Sequence, residues 1–513
     1  MKTKTFLPLL ALIMGLGAQP ALATPFTYND YDSMVAELEG FAATYPGLVE
    51  HFTAQSAYGL PPDLDGGTEL EHHILRITNE ATGLDKPELL LVGVQHGDEV
   101  VGLEVCLETA RLLLESYGTD PWLTALVDRR EIYMMPMVNP WGFNNGVRSS
   151  PGTEPGNEDM NRDHLYDRCS GGFCSDEVSL STVGARAIHE LSRRHLFRVL
   201  LDLHGGIEII IYPWGTPLHT ANTESPDEGG ADRLGLRMRE YGGPFNGLSP
   251  VGTSNDLLGA VNGPLDDTGY ASSWDVANAD PAWPTDGWRA ISYTIEISNQ
   301  KRPPQSTLGG DADLLTPGGA EDGYVPKNVR VALAAIDIVE PFVEWTNRGA
   351  VPTEVEIGEP VTVEWQVRGC FEVDETRVRS GTDPDPRVNF TAQTASQSQT
   401  TGTPCFDTPQ TFTAEVSFAT EGTHYLTPVA RVDSTLLDQG NPTPPGTAPQ
   451  SWMVRARTED GLLFENATEP TEVNTVRGQV FWGAEPLEIV VGDAPIFTDG
   501  FESGNTSAWS VGD

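Results

Sequence analysis

The segment from Leu89 to Glu99 constrains this chain most. It reads Leu-Leu-Leu-Val-Gly-Val-Gln-His-Gly-Asp-Glu. The run from Leu89 to Val94 has no polar face, so it reads as a strand buried on both sides of a sheet. It leads straight into His96 and Glu99, three residues apart. An imidazole nitrogen and a carboxylate oxygen both bind zinc at about 2 Å. Open α/β sheets place their sites at the carboxyl ends of buried parallel strands. A catalytic zinc usually takes three protein ligands and keeps one position for water. A third ligand, a base and substrate-binding groups are therefore expected elsewhere in the chain.

His204 ends a second apolar strand, Arg198 to Leu203. A lone histidine at a strand end is commonly structural, but the upstream pair makes His204 the expected third ligand. Glu296 lies in Tyr-Thr-Ile-Glu-Ile-Ser. A carboxylate in an apolar strand is costly without a partner or a task. Beside zinc it could take a proton from water and deliver it to a leaving amine. Taken alone it reads better as an outward-facing surface residue, since strand residues alternate faces. Asn161 and Arg162 suit a free substrate carboxylate, because Arg pairs with carboxylates through two parallel hydrogen bonds. Arg148 could stabilise an oxyanion, and Asp159 could orient a ligand imidazole.

Helical patterns run from Asn29 to Thr44, Glu99 to Ser116, Thr182 to Leu196 and Pro326 to Trp345, the last with Pro in its first turn. They alternate with strand patterns at His73–Ile77, Leu89–Val94, Glu131–Met137, Arg198–Leu203, Ile209–Tyr212 and Ile291–Ile297. Gly142 to Ser181 reads as a long loop. This order argues an α/β fold with a largely parallel or mixed sheet. The texture changes near Ala350. Val351 to Arg368 alternates, and Phe412–Phe418 and His424–Val432 follow, which predicts a small all-β sandwich module. The expected division is 1–23 signal peptide, 24–348 main domain, 349–456 β-sandwich module and 457–513 C-terminal extension or tail.

Met-Lys-Thr-Lys, an apolar run from Phe6 to Gly17 and Ala21-Leu-Ala23 form a secretory signal pattern, cut after Ala23. The apolar run is too short to cross a membrane, and no later stretch reaches the roughly 18 apolar residues a span needs. Export places the mature chain outside the cell or in the periplasm, and we expect a monomer. The formal charge of −43 excludes nucleic acid as a partner, because phosphate contacts need Lys and Arg. It reads as a solubility device. In an oxidising compartment Cys169 could pair with Cys174 and Cys370 with Cys405, leaving Cys106 as a buried thiol.

In this order the motifs resemble the zinc carboxypeptidases of the carboxypeptidase A type, from about Tyr28 to Trp345. They comprise Tyr45-Pro46, His96-x-x-Glu99, Val138-Asn139-Pro140-x-Gly142, Asp159-x-Asn161-Arg162, His204, Tyr212-Pro213-Trp214-Gly215 and Thr294-x-Glu296. The resemblance implies an α/β/α sandwich around a mixed sheet, followed here by the small all-β module. It implies one zinc ion held by His96, Glu99 and His204, with Glu296 as general acid/base. Asn161 and Arg162 bind the terminal carboxylate, Arg148 polarises the scissile carbonyl and Asp159 buttresses His96. The substrate is a peptide with a free C-terminus. One departure concerns the capping tyrosine of the family. Asn278 stands where it is expected, and Tyr270 is the alternative. No pro-segment separates the signal from the main domain, so the enzyme is expected to be made active. Two other readings remain open. One is a related zinc deacylase, desuccinylase or peptidoglycan-stem peptidase; the other is an inactive binding protein that keeps the fold.

Overall fold

Alternate side chains of the central strands enter two separate cores. Leu89, Leu91, Ile132, Met134, Val199, Leu201 and Leu203 pack on one side, and Leu90, Val92, Tyr133, Met135 and Leu200 on the other. Such runs have no solvent face, which is why they read as continuous apolar segments. The computed structural model describes residues 24–83, 86–153, 157–167, 179–192, 194–195, 197–219, 225, 228–271, 290–339, 342–368, 372–382, 391–392, 397–401, 410–433 and 487–492.

The main sheet has eight strands: β1 (Val49–Thr53), β2 (His73–Ile77), β3 (Glu88–Gly93), β4 (Glu131–Met135), β5 (Phe197–His204), β6 (Glu208–Tyr212), β7 (Val251–Thr253) and β8 (Ile291–Ile297). Their order is β1-β2-β4-β3-β5-β8-β6-β7. The central four, β4-β3-β5-β8, are mutually parallel; β2 runs antiparallel to β1 and β4, and β6 runs antiparallel to β8 but parallel to β7. The sheet is thus mixed. Parallelism brings the carboxyl ends of β3, β5 and β8 to one edge.

Helices cover both faces. One layer contains α1 (Tyr31–Thr44), α2 (Val101–Ser116), α3 (Pro121–Arg129), a helix at Glu228–Gly242 and a helix at Tyr324–Asp337. Asp30 caps α1: its carboxylate accepts from the Ser33 N–H at 2.8 Å while Ser33 Oγ accepts from the Asp30 N–H. The opposite layer contains Val183–Ser192 and Leu265–Tyr270. This is the α/β/α arrangement the motifs implied.

Three segments differ from expectation. The helix expected over Pro326–Trp345 ends at Asp337, and Phe342–Trp345 is a strand. In the sequence, Pro341 argues against a continuous helix to Trp345, because proline lacks the amide N–H a helix interior needs. The alternating run Val351–Arg368 is two strands in different sheets, Glu354–Glu356 and Val361–Arg368. Between them Gly358 takes φ +79°, a turn conformation that glycine adopts without strain. The stretch read as loop from Gly142 to Ser181 also carries short structure: the helix Pro140–Asn145, a Ser150–Pro151/Asn157–Glu158 ladder and the turn Met160–Arg162.

The C-terminal strands form two sheets. A four-stranded one joins Phe342–Trp345, Val361–Arg368, Gln410–Val416 and Gln397–Thr401. A five-stranded one joins Glu354–Glu356, Leu487–Gly492, Gly422–Asp433, Glu372–Gly381 and Thr391–Ala392. Val361, Val363, Trp365 and Val367 of the first share a core with Val378, Leu426 and Ile489 of the second. Trp365 Nε1 donates across to Thr376 Oγ1 at 2.8 Å. Leu487–Gly492 comes from the segment read as a C-terminal extension.

Candidate metal centre

The site begins where β3 ends. The chain leaves it through Val94 at φ +55°, a left-handed conformation that is strained for a β-branched residue. Gln95 and His96 follow, both buried. Gly97 comes next for a steric reason: a Cβ there would lie 2.1 Å from the Gly142 carbonyl carbon. Glu99 then sits just ahead of α2, and its backbone N–H donates to the His96 carbonyl at 3.0 Å. His204 closes β5.

These three side chains converge although His204 lies far along the chain. His96 Nδ1 is 3.0 Å from Glu99 Oε2. His204 Nδ1 is 2.9 Å from the same oxygen and 2.9 Å from His96 Nδ1. All three residues are 3 % exposed or less. Two donors about 2 Å from a tetrahedral ion stand about 3.3 Å apart, so this donor set fits one zinc. Among the described residues it is the only group of three or more His, Cys, Asp or Glu side chains whose ligand atoms lie so close together.

Each imidazole presents Nδ1 to the centre and turns Nε2 to a carboxylate. His96 Nε2 lies 3.1 Å from Asp159 Oδ1, and His204 Nε2 lies 2.7 Å from Asp202 Oδ2. A carboxylate behind an imidazole fixes its tautomer and raises its basicity. The charges respond to one another. Burial alone would raise the Glu99 carboxyl, but His96 and His204 hold it well below the usual carboxylate range. Burial would depress His204, yet Asp202 and Glu99 hold it above the usual imidazole value. Asp159 is likewise opposed by burial and held down by His96, Arg148 and Arg162.

Glu296 pairs in register with His204 across β5 and β8, so both project from the same face. Its Oε2 is buried and has no hydrogen-bond partner. Burial pushes its carboxyl up to about 6, against the opposing pull of His204. The surface reading of Glu296 therefore does not apply.

The remaining expected residues gather nearby. The Arg148 guanidinium donates from Nε to Asp159 Oδ2 at 2.9 Å, and its Nη1 lies 3.0 Å from His96 Nδ1 and 3.3 Å from Glu99 Oε1. Asn139 sets the loop behind it, with Nδ2 donating to the carbonyls of Gln95, Arg148 and Ser149 at 3.2 Å each. Asn161 Nδ2 lies 3.5 Å from His204 Nε2, and its Oδ1 accepts from the Leu265 N–H at 2.9 Å. Arg162 donates from Nη1 to the Asn161 carbonyl at 2.6 Å; burial and the nearby Arg148 lower its pKa, against the opposing pull of Asp159 and Asp266.

Three contributors were not foreseen. Asp202 was hidden in an apolar run; its spacing of two from His204 was the available signal. Gln95, next to a ligand, reaches His204 Nε2 through Oε1 at 3.1 Å. Lys301 bonds Asp98 at 2.8 Å and lies 3.5 Å from Glu99 Oε1. Tyr270 is buried edge-on to Trp214, with ring centroids 5.0 Å apart. Cys106 is a free buried thiol, pushed up by burial. Asn278, Cys169, Cys174, Cys370 and Cys405 lie outside the described residues. No helix among those residues is long and apolar enough to cross a membrane.

Known proteins similar to this chain are carboxypeptidases. Carboxypeptidase M of Mus musculus is 29 % identical over 215 residues, covering 41 % of this chain and 46 % of the mouse protein. Carboxypeptidase D of Homo sapiens is 25 % identical over 304 residues, covering 56 % of this chain and 20 % of the human one. The matches thus span less than half the length of these relatives. Among solved structures, the carboxypeptidase A from Helicoverpa armigera aligns with TM-score 0.44 and 16 % identity, covering 60 % of this chain and 74 % of that one. The sequence profile of the zinc carboxypeptidase family matches residues 34–314, more than half of the chain. By that match, this chain belongs to the zinc carboxypeptidase family.

Proposed function

We propose that the chain is a secreted zinc metallocarboxypeptidase that removes residues from the free C-terminus of peptides. One observation carries the reading: Glu296, with a partnerless buried oxygen, stands beside three convergent zinc-type donors. Export rests on the signal pattern of residues 1–23, and the catalytic work is assigned to 24–348. The β module at 349–456 and the extension at 457–513 lie outside that assignment.

His96, Glu99 and His204 would hold the ion, with Asp159 and Asp202 fixing the two rings. When bound, zinc supplies a water acidified enough to attack at neutral pH. Glu296 Oε2 would accept a proton from the attacking water and return it to the nitrogen of the departing residue. Arg162 and Asn161 receive the terminal carboxylate of the substrate and so select the last peptide bond. The Arg148 guanidinium, held by Asp159, faces the oxygen of the scissile carbonyl, where negative charge develops.

The test uses paired peptides, identical except that one carries a C-terminal amide, incubated with zinc-loaded protein and read by mass spectrometry. Stepwise loss of the last residue only from the free-acid peptide is expected. Equal cleavage of both, or of neither, overturns the reading.

A further inference from the structure

Gln95 is fully buried and has one carboxamide orientation that suits its neighbours. His204 turns Nδ1 toward His96 and Glu99, so its proton belongs on Nε2. That N–H has two acceptors, Asp202 Oδ2 at 2.7 Å and Gln95 Oε1 at 3.1 Å. The carboxamide NH₂ of Gln95 then faces His164 Nε2 at 2.6 Å, so His164 accepts there. Asn139 Nδ2 donates to the Gln95 carbonyl at 3.2 Å and fixes its backbone. One acceptor would set the tautomer of His204. Two acceptors on different elements also restrain rotation of the ring, which directs Nδ1.

The far end of this contact is anchored as well. His164 is fully buried, and its backbone N–H donates to the Gly263 carbonyl at 3.2 Å. Its neighbour Asp163 accepts from the backbone N–H groups of Ser181 and Thr182 at 2.9 and 2.8 Å, and from Thr182 Oγ1 at 2.8 Å. Asn161 and Arg162 belong to this same pinned segment.

We infer that Gln95 is a positioning residue that holds the His204 ring and ties it to the segment carrying Asn161 and Arg162. Through it the metal ligand and the carboxylate-binding pair keep a fixed separation. The inference rests on the carboxypeptidase reading for the role of Arg162, whereas its metal arm does not.

Gln95→Leu keeps the volume and removes both contacts. Measured by competition with a chromophoric chelator, its zinc affinity is expected to fall roughly 10- to 100-fold. His164→Leu removes only the far contact. It is expected to keep zinc affinity within about twofold but to weaken binding of an N-acyl dipeptide with a free C-terminus roughly 5- to 30-fold. That binding is titrated in a Glu296→Gln background, which prevents turnover. Thermal unfolding of each variant is recorded alongside. If Gln95→Leu does not fold, Gln95→Met takes its place. Zinc affinity unchanged in the Gln95 variant, even with a lowered Tm, overturns the hold on His204. Dipeptide binding unchanged in His164→Leu overturns the tie. Failure of the wild-type protein to hydrolyse any peptide would count against the enzymatic reading and leave the zinc result to judge Gln95.

Discussion

Glu296 lies directly opposite His204 across two parallel strands of the main sheet. A partnerless carboxylate oxygen and a carboxylate-backed imidazole thus share one edge. The chemistry of the site depends on this adjacency.

Glu296→Gln keeps the shape and removes the base. Its kcat is expected to fall by roughly 10²- to 10⁴-fold, the usual contribution of a general acid/base. Zinc content by atomic absorption should stay at the wild-type level. Loss of metal from this variant would make Glu296 a ligand instead.

The pH profile follows from the same residue. Burial raises its carboxyl to about 6. A base must be deprotonated to act, so kcat/KM should decline as the pH falls through about 6 and level off above it. The acid limb should be missing from whatever slow activity Glu296→Gln retains.

Arg162→Ala should raise KM for free-acid peptides roughly 10- to 100-fold, the factor expected for charged hydrogen bonds of about 1.5–3 kcal/mol. Arg162→Lys should recover little, since a point charge does not reproduce the planar fork. Steady-state kinetics on one peptide series checks both, and an unchanged KM in the alanine variant would remove Arg162 from the substrate site.

Asp202→Asn should weaken zinc binding roughly 10- to 100-fold. Removing zinc from the wild-type protein with a chelator should abolish turnover and lower Tm, because a ligand that binds only the folded state stabilises it. Calorimetry with and without chelator reads the second effect.

Glu104 offers a test of stability away from the site. Its oxygens accept from the Asn29 backbone and side-chain N–H groups at 2.7 Å each. Burial nevertheless raises its carboxyl to about 7. A raised carboxyl favours the neutral form in the folded state. Its stabilising contribution is complete below the ordinary carboxyl range and is lost as pH rises through about 7, at about 1.4 kcal/mol per unit of displacement. Glu104→Gln should therefore unfold at a higher temperature than wild type at pH 8, with the gap closing by pH 4. A gap that widens on acidification would refute this.

Much of the site was legible because buried strands leave unbroken apolar runs, and polar residues at their ends stand out. His96, Glu99 and His204 stood out in that way, whereas the role of Glu296 rested on the resemblance to the zinc carboxypeptidases. Face was harder to read: period two allowed Glu296 to point either way until the register with His204 was known. Asp202 was missed because one acidic residue inside Val-Leu-Leu-Asp-Leu-His looks like an interruption, not a support. Gln95 was missed because a neutral amide advertises no charge. In the C-terminal part, Phe342–Trp345 continued an apolar pattern that helix and strand share, and only Pro341 distinguished them. Val351–Arg368 read as one strand because the alternation resumes in phase after the turn at Gly358.

The strand Leu487–Gly492 runs parallel to Glu354–Glu356 on one side and antiparallel to Gly422–Asp433 on the other. Both neighbours are synthesised well before it. Until the ribosome delivers it, each keeps a bare hydrogen-bonding edge open to other chains. A truncation upstream of Leu487 should therefore do more harm than its length suggests, yielding sticky, self-associating product.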